Sequence, residues 1–174
     1  MTTFDLRTLR LRSGDQTRER VEIELDALVL GGQAYEPKPN PVPAELTVTR
    51  ASSGTVLELA FEVALEGPCF RCLTDAELPV SLRLREYEAT NPEGDEERTE
   101  YLADDRLDLS AWARDAIALA LPDQILCRPD CAGLCPICGK DLNAEPHEHT
   151  EDRIDPRWAK LSELRQEWRT ASSS

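Results

Sequence analysis

Hydrophobic and polar residues alternate with period two over much of the first half of the chain. Val21, Ile23 and Leu25 face away from Glu22, Glu24 and Asp26. Leu46 and Val48 alternate with Glu45, Thr47 and Thr49. Leu57, Leu59, Phe61, Val63 and Leu65 make one face opposite Glu58, Glu62 and Glu66, and Leu78, Val80, Leu82 and Leu84 repeat the pattern. Successive side chains of a strand point to opposite faces, so these runs predict half-buried strands of an antiparallel sheet, barrel-like if its edges meet. Ser52-Ser53-Gly54 predicts a hairpin turn, and the Gly- and Pro-rich stretch 31–43 predicts a loop.

The period changes after Leu107. Leu109, Trp112, Ala113, Ala116, Ile117, Ala120 and Leu121 fall on one stripe of a helix. The predicted core helix runs over 108–121, with Asp108 as N-cap and Pro122 as its stop. A second helix is signalled by Asp155-Pro156, with Trp158, Leu161, Leu164 and Trp168 on a narrower stripe over 153–174. The expected class is α+β in one compact domain. A β region with a core helix fills 1–121, a Cys/His-rich segment 122–152, and a C-terminal helix and tail the remainder.

Charge changes this picture locally. The net charge is −14, yet residues 1–20 hold five Arg against three acids and 153–174 hold five basic residues against three. Both ends are net positive, so the interior, 21–152, is more negative than the chain as a whole. Ten acids crowd Glu86 to Asp108, and 90–105 predicts an exposed acidic loop. Such a protein is not a general polyanion binder. No run approaches the apolar length of a membrane span, and the first residues lack the apolar core of an export signal. A cytoplasmic protein is expected.

Cysteine supplies the candidate chemistry. The six read Cys69-x2-Cys72 and then Cys127-x3-Cys131-x3-Cys135-x2-Cys138, followed by the only two histidines, His147-x-His149. Without an export signal, metal ligation is favoured over disulfides. A Cys-Pro-Ile-Cys-Gly turn puts two thiolates on one ion, and Gly139 permits the left-handed backbone such a turn needs. Eight soft or borderline donors suffice for two tetrahedral zinc sites. One division places Cys135, Cys138, His147 and His149 on one ion and Cys69, Cys72, Cys127 and Cys131 on the other. Alternatives are Cys127 and Cys131 as partners of Cys135 and Cys138, or a single zinc with Cys69 and Cys72 as free thiols. Catalytic readings are weaker. No His-Glu-x-x-His helix occurs, and Cys69-x2-Cys72 lies between strands instead of opening a helix that would lower a thiol pKa.

The run CFRC after a long strand, then LDLSAWARDAIALALP, LCRPDCAGLCPICGKDLN and DPRWAKL, resembles the bacterial YceD family. The resemblance implies a non-enzymatic, cytoplasmic role in large-subunit ribosomal RNA accumulation and ribosome biogenesis. The implied partner is ribosomal RNA, a ribosomal protein or an assembly factor. Many relatives carry Cys-x-Cys where this chain has His147-x-His149, which implies a ligand role for the two histidines. Some keep the first Cys pair and lack the second cluster. The basic ends offer phosphate contacts: Arg7, Arg10, Arg12, Arg18 and Arg20 in front, and Arg157, Lys160, Arg165 and Arg169 behind. The competing classes are a zinc- or thiol-dependent enzyme and a zinc-bearing protein-interaction domain.

Overall fold

A computed structural model describes residues 1–94 and 97–149. Among the described residues, nine strands and one α-helix follow in order: β1 (Thr3–Asp5), β2 (Gln16–Ile23), β3 (Leu28–Leu30), β4 (Gln33–Lys38), β5 (Val42–Arg50), β6 (Gly54–Pro68), β7 (Asp75–Ala89), β8 (Leu102–Ala103), β9 (Arg106–Asp108) and α1 (Leu109–Ala120). A single 3-10 turn, Leu6–Leu9, follows β1. Contacts divide the chain into two compact units, 1–133 and 134–174. All the strands and α1 belong to the first, and the Cys/His-rich segment is shared between the two.

The centre of the first unit is β6. One edge pairs with β7 through the whole register from Gly54↔Ala89 to Pro68↔Asp75. The other edge is divided between β5, over Ala44↔Phe61 to Arg50↔Thr55, and β4, over Glu36↔Glu66 to Lys38↔Ala64. β2 extends the sheet from β5, and β3 from β4. All pairs are antiparallel, and the alternation seen in sequence becomes cross-strand rows. Leu46 pairs with Leu59, Leu59 with Leu84, and Val63 with Val80. Ile23, Val42, Leu46, Leu57, Leu59 and Leu65 are almost fully removed from water.

The helix closes on this face by the stripe its spacing predicts. Leu109, Trp112, Ala113 and Ile117 are buried. Asp108 caps it, its Oδ1 accepting from Ala111 N at 3.0 Å, and Leu121 turns extended before Pro122. Trp112 stacks on Tyr101 with ring centroids 6.1 Å apart.

The structure corrects several expectations. The sheets are open, so the barrel-like closure does not occur: β2 and β7 remain edges of the larger sheet among the described residues. The stretch 31–43 is not a plain loop. It contains β4, reached from β3 through Gly31 and Gly32 at φ +60° and +83°. Two successive positive φ values match the right-handed twist of a two-residue hairpin, and glycine takes them without steric cost. The acidic stretch 90–105 ends in another such hairpin, β8–β9, turning at Asp104 and Asp105, both with positive φ. β1 pairs with β9, placing Phe4 opposite Leu107 in a small three-stranded sheet. Period-two reasoning missed β1, β8 and β9 because strands of two or three residues show no period. The C-terminal helix expected over 153–174 lies outside the described residues.

Candidate metal centres

The first cluster sits at the tip of the β6–β7 hairpin. After the last ladder pair, Pro68↔Asp75, the chain must reverse within six residues. Cys69 N donates to Thr74 O at 2.7 Å, and Leu73 N donates to Cys69 O at 3.0 Å. Leu73 makes the reversal with φ +62°. The segment after α1 is then tied to this tip. Phe70 N donates to Ile125 O at 2.8 Å, and Arg71 Nη1 donates to Cys131 O at 3.1 Å. Ile125 itself is buried.

These ties bring Cys127 and Cys131 onto the hairpin cysteines. Cys69 Sγ lies 3.8 Å from Cys131 Sγ, and Cys72 Sγ lies 3.6 Å from Cys127 Sγ. All four sulfurs fall within 4.8 Å of one another. A tetrahedral zinc with Zn–S near 2.3 Å requires sulfurs about 3.8 Å apart. Cys69, Cys72 and Cys131 are buried and Cys127 is exposed. Burial pushes the Cys69 thiol up, but the backbone N–H groups of Cys127, Cys72 and Arg71 outweigh it and hold the thiol near the thiolate, at about 6. Hydrogen bonds from the Thr74 hydroxyl and N–H lower the Cys72 thiol, with Thr74 Oγ1 at 3.0 Å from the sulfur. N–H and O–H groups aimed at sulfur stabilise negative charge, which is what metal-bound thiolates carry.

The second cluster, in the unit beginning at Leu134, repeats the same turn. A bridge pairs Leu134 with Asp141. Cys135 N donates to Lys140 O at 2.8 Å, Gly139 N donates to Cys135 O at 2.8 Å, and Gly139 has φ +73°. Cys138 Sγ lies 3.1 Å from His147 Nε2, and the His147 and His149 rings meet edge to face with centroids 4.9 Å apart. His147 Nδ1 lies 2.7 Å from Glu145 O, a carbonyl that can only accept. That bond places the ring proton on Nδ1 and leaves Nε2 as a free lone pair facing the cysteines, the arrangement of metal-ligating histidines. The four donor atoms again lie within 4.8 Å of one another. The N–H of Cys138, then that of Ile137, outweigh burial and hold the Cys135 thiol at about 6. Each donor set therefore fits a tetrahedral ion.

All eight candidate donors are legible in the sequence, but their supports are not. Thr74, Arg71 and Glu145 hold the ligands without being candidate ligands themselves. Thr74 is the fifth residue after Cys69, as Lys140 is after Cys135, so aligning the two turns would have exposed its place. The basic front end is partly neutralised. Arg7 pairs with Asp105 at 3.0 Å and Arg18 with Glu45 at 3.4 Å. Arg10, Arg12 and Arg20 are exposed, and Arg157, Lys160, Arg165 and Arg169 lie outside the described residues. No helix among the described residues is long and apolar enough to cross a membrane.

Residues 57–165, which span both clusters, match the family described as Large ribosomal RNA subunit accumulation protein YceD. The chain belongs to the YceD family. An uncharacterized protein of Mycobacterium tuberculosis (strain ATCC 25618 / H37Rv) is 38% identical over 125 residues, covering 69% of this chain and 60% of that protein. An uncharacterized protein of Mycobacterium leprae (strain TN) is 34% identical over 129 residues, covering 71% and 59%. The uncharacterized protein YlbN of Bacillus subtilis (strain 168) is 28% identical over 115 residues, covering 62% and 66%. The YceD-family chain thus spans about three fifths of the length of the mycobacterial relatives it matches. No solved structure matches it.

Proposed function

We propose that this protein is a non-enzymatic, cytoplasmic factor in large-subunit ribosomal RNA accumulation, stapled by two structural zinc ions. The observation that carries the reading is that the family match runs across both four-donor clusters. A structural zinc is closed by four protein ligands, whereas a catalytic zinc keeps one position for water or substrate. Cys69, Cys72, Cys127 and Cys131 fill one tetrahedron, and Cys135, Cys138, His147 and His149 fill the other. The ion supplies a cross-link in each case. The chain's own groups orient the donors: the Thr74 hydroxyl at Cys72, the Arg71 guanidinium at the Cys131 carbonyl, and the Glu145 carbonyl at His147.

The partner is ribosomal RNA or a ribosomal protein or assembly factor. A net charge of −14 favours the protein partner, because ribosomal assembly offers basic surfaces and the acidic interior repels phosphate. The test is depletion of the protein in its host. The ratio of large- to small-subunit ribosomal RNA should fall and recover when the wild-type chain is restored. An unchanged ratio refutes the role. Elemental analysis of protein purified without chelators should give two zinc per chain, and no metal refutes the staple.

A further inference from the structure

The two clusters have the same turn but different mountings. The first stands on two fifteen-residue strands paired along their whole length. Its two halves are joined by hydrogen bonds that need no metal, from Phe70 N to Ile125 O and from Arg71 Nη1 to Cys131 O. Three of its four ligands are buried. The second stands on one isolated bridge, Leu134↔Asp141, and a turn in which Ala144 N and Glu145 N donate to Asp141 O. Of its ligands only Cys135 is buried, while Cys138 and His149 are exposed. Cys135 is also the only buried residue from Leu134 to His149. Ile137 is 55% exposed and Leu142 is half-buried, so this stretch has no apolar core of its own.

We propose that the centres are ranked: Cys69/Cys72/Cys127/Cys131 is a permanent staple, and Cys135/Cys138/His147/His149 is an exchangeable zinc site whose occupancy decides whether 134–149 is folded. This regulation rests on the reading that both clusters hold zinc. A preformed site binds without ordering its backbone, whereas a site with no core spends part of its binding free energy on folding. The first centre is in the former case and the second in the latter. The donor sets act in the same direction. Four sulfurs, three of them buried and one 3.0 Å from the Thr74 hydroxyl, hold a thiophilic ion behind buried walls. In the second set only Cys135 is buried, and the exposed Cys138 and His149 let a competing chelator reach the ion. Zinc supply would then set the state of 134–149 and leave the sheet and helix untouched.

The experiment uses the full chain loaded with two zinc and the chromogenic chelator 4-(2-pyridylazo)resorcinol. Release is expected in two phases of one equivalent each, separated by roughly tenfold or more in rate if the roughly ten- to hundredfold affinity effect of supporting hydrogen bonds is expressed in release. After the first phase, hydrogen exchange should rise across 134–149 while 69–74 and 125–131 stay protected. The double variant Cys135→Ser/Cys138→Ser should keep one zinc and show only the slow phase. Release of both ions in one phase, or loss of protection at 69–74 first, overturns the ranking while leaving two zinc sites. A chain that arrives without zinc and takes up none on titration overturns the zinc reading itself.

Discussion

Leu73 and Gly139 occupy the same backbone position in two separate turns. Each follows the second cysteine of its pair, each has φ beyond +60°, and each donates its N–H to the carbonyl of the first cysteine, at 3.0 and 2.8 Å. Glycine takes this left-handed conformation freely, but a leucine there brings its Cβ against the neighbouring carbonyl at about 1–2 kcal/mol. Leu73 is also 57% exposed, so little burial offsets that cost. Leu73→Gly is therefore expected to stabilise the first unit by up to about 1 kcal/mol, and Gly139→Ala to weaken the second by about 1 kcal/mol. Denaturant unfolding with hydrogen exchange on the zinc-loaded chain reads both. Destabilisation by Leu73→Gly would show that the leucine side chain packs more strongly than its exposure indicates.

Thr74→Val removes the hydroxyl 3.0 Å from Cys72 Sγ and keeps the β-branched shape that suits the start of β7. Zinc affinity at the first centre should fall by roughly ten- to a hundredfold, as for other groups that orient ligands. Far-ultraviolet circular dichroism should stay unchanged. Chelator competition at equal affinity for variant and wild type would exclude a supporting role for Thr74.

Gly67 is packed where no side chain fits. A Cβ there would meet Tyr35 Cδ1 at 2.5 Å and Ala34 O at 2.7 Å. Tyr35 is fully buried and its hydroxyl donates to Pro68 O at 2.9 Å, next to Cys69. Gly67→Ala should cost about 1–3 kcal/mol by overpacking. The control is Gly94→Ala, where the added methyl meets nothing within 4 Å. Equal melting temperatures for the two variants would contradict the packing described for Tyr35.

Direct binding to ribosomal RNA should be weak and fall steeply with salt. Arg7 and Arg18 are already engaged with Asp105 and Glu45, and only local clusters oppose the global negative charge. Filter binding between 50 and 200 mM salt (a range over which roughly every phosphate contact is felt) measures the slope. Tight, salt-independent binding would contradict this expectation and point away from a protein partner.

The long strands and the helix were legible because their burial is regular. From Leu57 to Leu65 every second side chain meets the core, and from Leu109 to Ile117 the buried positions follow the helical period. Hairpins β3–β4 and β8–β9 were not legible. β3, β8 and β9 are only two or three residues long, β4 contains Pro37, and their placement depends on partners distant in sequence, Leu65 for Pro37 and Phe4 for Leu107.

The sequence by itself determined which residues are candidate donors. Cys69 with Cys72, and Cys135 with Cys138, are spaced so that one tight turn can bring both sulfurs onto one ion. It did not determine which donors complete each set, since Cys127 and Cys131 lie close in sequence to Cys135 and more than fifty residues from Cys72. The tertiary structure decided that. The β6–β7 hairpin carries Cys69 and Cys72 to a tip where Phe70 N and Arg71 receive the chain after α1, and those two contacts set Cys127 and Cys131 against them. Hydrogen bonds between groups more than fifty residues apart have no signature in local sequence, so only the fold brings these four cysteines together.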